Sequence, residues 1–380
     1  MSRLSFLLLL LFPLCAFTQP VIIGKVINMT NNTPVPTATI FLGNSSVGTI
    51  TDKDGAFRLG NVRNGQYDLV VTCVGFETHH QTILFNGAGV NAGEIKLMPK
   101  VTELKEVKIK YDASRDRYLA MFKQEFLGYT ENAKQCILKN PEVLDVAFDK
   151  SIQTLTASSD DFLIVENQAL GYILHYKVVN FNNDYRAHSL YYAGDVRFEL
   201  MKGSKSDEKR WRKARQAAYE GSDMHFLRSC IAGTVEGEKF TVRRIIRKPN
   251  KDRPADSLIN AKIKQFNVRN TTSNFMISDS SRYWYDKKNM PKEIHMLVKN
   301  PLQTADYCEK TDQSGIYIIN LEDLLYVRYR GKDEYTTTVQ FNKPAYFDNN
   351  GVILNPESTI NDGYWGTQRV ANMLPVDYEP

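Results

Sequence analysis

Along residues 20–99 apolar and polar positions alternate in short runs that stop at glycine, asparagine and proline. Residues 21–27, 38–42, 57–59, 67–74, 82–85 and 94–97 read as strands. Between them lie a loop at 28–36, a glycine-bearing segment at 45–51, and the turns Asp52-Lys53-Asp54-Gly55, Arg63-Asn64-Gly65 and Gly75-Phe76. Short strands at this spacing predict an all-β antiparallel sandwich. At Ser114 the period changes: Tyr118, Leu119, Phe122 and Phe126 share one helical face, with Ser114 placed to cap it and Gly128 to end it. A second helix is expected over 130–139, stopped by Asn140-Pro141. Strands are then expected at 162–165, 172–181, 190–200, 241–247, 294–298, 315–319 and 326–329, with helices at 207–219 and 223–231. That mixture predicts a larger α+β domain rich in antiparallel sheet. The expected organisation is a sandwich at 19–99, a linker at 100–113 whose charges alternate with β-branched residues, and a second domain at 114–380.

The first eighteen residues fit neither domain. A short positive start, an apolar run from Leu4 to Leu14, and Ala16-Phe17-Thr18 before Gln19 read as a signal peptide over 1–18. The run is about half the roughly 20 residues that span a bilayer, so it reads as an export signal and not an anchor. Cys15 follows Leu14, where lipidation needs a small residue, so the mature chain is expected to start near Gln19 without an acyl group. The remaining cysteines, Cys73, Cys136, Cys230 and Cys308, are irregularly spaced with no CxxC, which argues against a metal knuckle; bridges are permitted in an exported chain, but mostly buried free thiols are the favoured reading. Aromatic residues make up 11% of the chain, in keeping with β-rich folding, and a net charge of +5 is too mild for a nucleic-acid binder.

One ordered series of residues in the first domain resembles a known family. Gly24-Lys25-Val26, Pro34 to Ile40, Val47 to Phe57, Gly65 to Leu69 and Val74 to Thr78 are similar to the carboxypeptidase-regulatory-like, or peptidase-associated, domain. The resemblance implies a transthyretin-like, carbohydrate-binding-like sandwich that accompanies other modules, among them metallocarboxypeptidases and outer-membrane receptors, and confers no activity itself. Its turns would rest on Gly48, Gly55 and Gly75 for conformations other residues resist, and on Asp52 bonding amides ahead of it. The later stretches Tyr219 to Arg228, Asp348 to Gly351, Gly363 to Gly366 and Leu374 to Tyr378 resemble uncharacterised C-terminal regions of exported Bacteroidetes proteins.

Motifs for hydrolysis are absent from the sequence. None of the six histidines begins HxxE or HExxH, and no GxSxG occurs. Glu77 and His80 have helical ligand spacing but fall where a strand and turn are expected, not a helix. Asp52 to Gly55 lacks the further oxygen ligands of a calcium loop. Cys230 and His225 stand five apart on an expected helix, a spacing that does not stack them on one face. Asp223 and His225 are candidates for a ligand pocket, and Trp284 or Trp365 for a sugar-binding strip. Asp256-Ser257-Leu258 resembles a short O-glycosylation acceptor.

Charge supplies the other candidate. Residues 202–253 hold 15 Lys or Arg against seven Asp or Glu, and Lys209, Arg210, Arg212, Lys213 and Arg215 fall on one expected helix. The helix reads either as a face for an acidic partner or as an ordinary solvated surface. The whole points to a non-enzymatic exported protein of the periplasm or outer membrane: a docking sandwich plus a domain that binds an envelope protein or glycan, with peripheral membrane association, no cofactor and no metal. The alternative is a hydrolase with an unfamiliar site in the second domain.

Overall fold

The computed structural model describes residues 20–100, 114–269 and 279–380. The expected signal peptide, and the expected linker apart from Lys100, lie outside them. Seven strands build the sandwich: β1 (Ile22–Asn28), β2 (Thr39–Leu42), β3 (Gly48–Ile50), β4 (Ala56–Leu59), β5 (Gly65–Thr72), β6 (His79–Phe85) and β7 (Val90–Leu97). They form the sheets β4-β1-β7 and β3-β2-β5-β6. Every pair is antiparallel except β1–β7, which runs parallel with Val26 opposite Ile95. Alternation sets the inner faces: Tyr67, Leu69 and Val71 of β5 meet Phe57 and Leu59 of β4, Ile22 and Val26 of β1, and Leu97 in one buried cluster.

The next stretch holds α1 (Arg115–Leu127), β8 (Cys136–Leu138), β9 (Leu144–Asp149), β10 (Thr154–Ser159), β11 (Leu163–Asn167), β12 (Tyr172–Asp184), β13 (Ser189–Leu200) and α2 (Lys205–Tyr219). The long β12 gives one edge to β13 and divides the other between β11 and β10. At the division Val178 donates its N–H to the Ser159 hydroxyl at 2.9 Å. Phe122 and Phe126 of α1 are fully buried on this sheet, stacked at 4.8 Å on each other and set edge-on to Phe181. Ser114 precedes α1 in helical conformation and makes no side-chain cap. The helix expected at 130–139 is replaced by a single 3₁₀ turn and β8, because Cys136 to Leu138 bond to β11. Local sequence carries no sign of that remote edge.

The chain does not divide into compact units at the expected linker. The first unit runs to Met224 and adds Asp348–Val352 and Gln368–Pro380; the second is His225–Phe347 with Ile353–Thr367. The sandwich and the β12 sheet share the first unit because the β2–β3 turn is built into both. Asn44 donates to Val196 O at 2.8 Å, and Phe198 donates to Ser45 O at 2.9 Å. The C-terminal segment covers the same turn: Val376 donates to Asn44 O, and the Asp377 carboxylate accepts from the Ser46 N–H at 2.7 Å.

The second unit takes most of α3 (Asp223–Ala232), then β14 (Phe240–Pro249), α4 (Asp256–Arg269), α5 (Asp279–Asn289), β15 (Glu293–Leu297), β16 (Cys308–Lys310), β17 (Ile316–Ile319), β18 (Leu324–Tyr329), β19 (Thr336–Phe341), β20 (Ala345–Asp348), β21 (Thr359–Gly363) and the short α6 (Tyr364–Thr367). Its main sheet, in the order β15-β14-β18-β19-β21, is antiparallel throughout. Phe226, Phe240, Val327, Phe347 and Trp365 fill its core.

Candidate functional site

The sandwich turns are set by a few groups. Gly55 has φ +74, and its carbonyl accepts the Val26 N–H at 2.8 Å. Asp52 Oδ1 accepts from the amides of Asp54 at 2.9 Å and Ala56 at 2.8 Å, which closes the turn around that glycine. Gly75 has φ +84 and open space around it. Gly48 corrects the expectation: it lies in β3 without a left-handed φ. What it supplies there is smallness, since an added Cβ would sit 3.3 Å from the Ile40 carbonyl and from Phe41 Cβ.

The basic helix is α2. Ser204 and Asp207 close a reciprocal capping box at its start. Trp211 anchors it: the indole is 5% exposed and donates to Gln168 O at 2.9 Å. The ring lies so close to Gly171 that an added Cβ would stand 2.2 Å from it. The five predicted cations do not act alike. Arg215 turns onto the sheet, donating to Leu170 O at 2.7 Å and Gly171 O at 3.0 Å, with its guanidinium 4.0 Å from the Tyr172 ring centre. Burial pulls its pKa down from the usual value. Arg210 pairs with Asp207 at 2.9 Å. Lys209, Arg212 and Lys213 stay exposed, and the sequence reading overlooked Lys205 beside them. These four fall within about 100° of arc at 3.6 residues per turn, opposite Trp211.

Asp223 and His225, the pair expected to line a pocket, fall in different units. Asp223 belongs to the first unit, exposed, its carboxylate accepting the Met224 N–H at 2.8 Å. His225 belongs to the second, where its ring packs edge-on to Phe240 at 4.9 Å and Tyr329 at 5.6 Å. Its Nε2 lies 3.2 Å from Glu238. Cys230 turns to Cys308: the hydrogen bond between them and burial hold its thiol far above the usual range, which makes it a poor nucleophile. Trp365 is buried in the core and Trp284 is half-buried beside Tyr283, so neither builds the expected aromatic strip.

Sequence reading missed a polar cluster joining β5, β6 and β13. His80 Nδ1 is 2.7 Å from Asp68, and its Nε2 is 3.7 Å from Asp195. Among the described residues these three form the one group of three or more whose His, Cys or carboxylate ligand atoms all lie within 4.8 Å of one another. The bond to Asp68 raises the His80 pKa, so the imidazolium is favoured between the two carboxylates. Burial raises the pKa of Asp195, and Lys177 stands alongside, its ammonium 3.0 Å from Thr78 Oγ1. A cation bound here would have to displace that proton, so the cluster is better suited to clamp the strands than to hold a metal.

The seven strands of the sandwich, and the Asp52–Gly55 turn within them, lie inside a stretch that one family model matches. Residues 22–109 match the CarboxypepD_reg-like domain. No curated protein is significantly similar to the chain. Among solved structures, a type II cohesin–X-dockerin complex from Acetivibrio cellulolyticus is 17% identical over 20% of this chain and 56% of its own, with a TM-score of 0.19. This chain thus spans little more than half of that structure's length. A Bacteroides fragilis protein described as membrane-associated and of unknown function is 10% identical over 91% of this chain and 93% of its own, TM-score 0.17. A DUF3823 family protein from Bacteroides uniformis is 9% identical over 83% of this chain and 91% of its own, TM-score 0.16.

The CarboxypepD_reg-like domain contributes two of the three clustered groups, Asp68 and His80. The third, Asp195, comes from the sheet that follows it. In sequence His80 stood out only for its spacing from Glu77, and nothing there tied it to Asp68 or to β13.

Proposed function

We propose that this chain is a non-enzymatic exported envelope protein. Its CarboxypepD_reg-like sandwich serves as a docking module, and the exposed face of α2 rests on an anionic membrane surface. One observation carries the reading. Lys205, Lys209, Arg212 and Lys213 point away from an anchored helix, and their side chains make no hydrogen bond or ion pair among the described residues, while the arginines beside them are engaged. Each cation near such a surface contributes about 1 kcal/mol, so four supply about 4 kcal/mol, roughly a thousandfold in partition. No helix among the described residues is long and apolar enough to cross a membrane, so an attachment of this kind would be peripheral. The burial of His225 and Cys230 supports the non-enzymatic part, because both side chains are committed to the core. The test is co-sedimentation of the mature protein with phosphatidylglycerol vesicles and with neutral vesicles. Wild type should pellet with the anionic ones and release in high salt. A variant carrying K205E, K209E, R212E and K213E should stay in the supernatant. Equal pelleting of both proteins would refute the reading.

A further inference from the structure

A hollow of about 420 Å³ opens in the first unit between α1, the β9–β10 turn and the residue that follows β12. It falls in the range of about 300–1,000 Å³ usual for ligand sites. Tyr118 and Met121 line it from α1, Phe148 from β9, and Tyr185 from just beyond β12. The three rings are contiguous: Tyr118 and Phe148 are 5.8 Å apart at 35°, and Phe148 and Tyr185 are 6.1 Å apart at 62°. Arg117 and Lys150 complete the lining as exposed cations, and neither has an ion pair or a side-chain hydrogen bond among the described residues. The acids close by are turned elsewhere. Asp149 accepts from the amide and hydroxyl of Ser151 at 2.8 and 2.6 Å, and Asp184 accepts from the amides of Arg186 and Ala187. Gln153, also lining the hollow, donates its amide nitrogen to Lys150 O at 2.8 Å.

We propose that this hollow binds an acidic saccharide. A pyranose ring carries an apolar C–H face and a rim of hydroxyls. Adjoining aromatic faces cover the first, and Gln153 and the tyrosine hydroxyls suit the second. The two unpaired cations add what a neutral sugar does not use, a carboxylate partner, and an arginine can hold a carboxylate with two parallel hydrogen bonds. The rings are tilted and not parallel, so they offer no slot for a flat aromatic acid. The site does not depend on α2.

The experiment is calorimetric titration of the mature protein with tetragalacturonate, with a neutral tetrasaccharide, and with naphthoate. Tetragalacturonate should bind at least tenfold more tightly than the neutral sugar. An Arg117→Gln, Lys150→Gln variant should lose at least that factor while melting as wild type, both side chains being exposed. A Lys209→Glu variant should bind tetragalacturonate as wild type does. Equal binding of charged and neutral sugars, binding of naphthoate without the saccharide, or no heat of binding up to about 10 mM would each overturn the proposal.

Discussion

Replacing Gly55 by alanine separates two costs that a left-handed glycine combines, and Gly75 supplies the comparison. Both sit in the left-handed region, at φ +74 and +84. An L-residue there costs about 1–2 kcal/mol. At Gly75 nothing lies within 4 Å of the added Cβ, so Gly75→Ala should cost that and no more. At Gly55 the Cβ would stand 2.4 Å from the Val26 carbonyl oxygen, closer than real contacts allow. That carbonyl already accepts the Val35 N–H at 3.0 Å, and Val26 is fully buried in the sandwich core. Relief must therefore stretch a backbone hydrogen bond, worth about 1 kcal/mol, and shift a packed strand. Gly55→Ala should cost about 2–3 kcal/mol in all, from the left-handed strain together with that lost bond. At about 2–4 °C per kcal/mol for a unit of this size, the extra lost bond at Gly55 should make it melt about 2–4 °C below Gly75→Ala. Thermal melts followed by circular dichroism, with urea midpoints as a check, give the comparison. If the two variants melt within a degree of each other, the contact with Val26 is not what holds the turn.

Trp211→Ala should cost about 3–5 kcal/mol, the usual loss for a buried tryptophan, and should detach α2 from its seat, read as a fall in urea midpoint. The folded His80 has a pKa above its unfolded value of about 6.5, so its stabilisation is complete below that pH and is lost as pH rises through the folded value. Wild type should therefore lose more stability than His80→Gln between about pH 6 and pH 8; parallel curves would show that the clamp is idle. In the native protein Cys230 should resist iodoacetamide at about pH 8, where an ordinary thiol is partly ionised, and should react once urea unfolds the chain, as read by peptide mass spectrometry.

The sandwich was legible because its signals are local. Period-two alternation fixed the inner faces of β1 and β5, and Asp52 and Gly55 marked a turn that needs both residue types. Helix α2 was legible over 207–219, but its capping box at Ser204 and its first residues were not. What was not legible depends on partners remote in sequence. Residues 136–138 become a strand only because β11 offers an edge, and the sandwich shares a unit with the β12 sheet because Asn44 and Ser45 bond to β13. The same limit governs the site. Spacing put five cations on one helix, but it could not tell that Arg215 would reach the carbonyls of Leu170 and Gly171 while Lys205 and Lys209 stayed free of such partners. His225 looked like chemistry because Asp223 and the basic helix stand near it in sequence; in three dimensions its ring packs on the aromatic rings of Phe240 and Tyr329.

The claim that α2 presents its cationic face to an anionic surface is tested most directly by photocrosslinking on phosphatidylglycerol vesicles. Benzoylphenylalanine placed at Lys209, at the centre of the face, should label lipid, and should stop doing so in high salt. The same probe at Asp160, whose side chain is 99% exposed, should label none. Equal labelling from both positions, or none from Lys209 while the protein is vesicle-bound, would contradict the account.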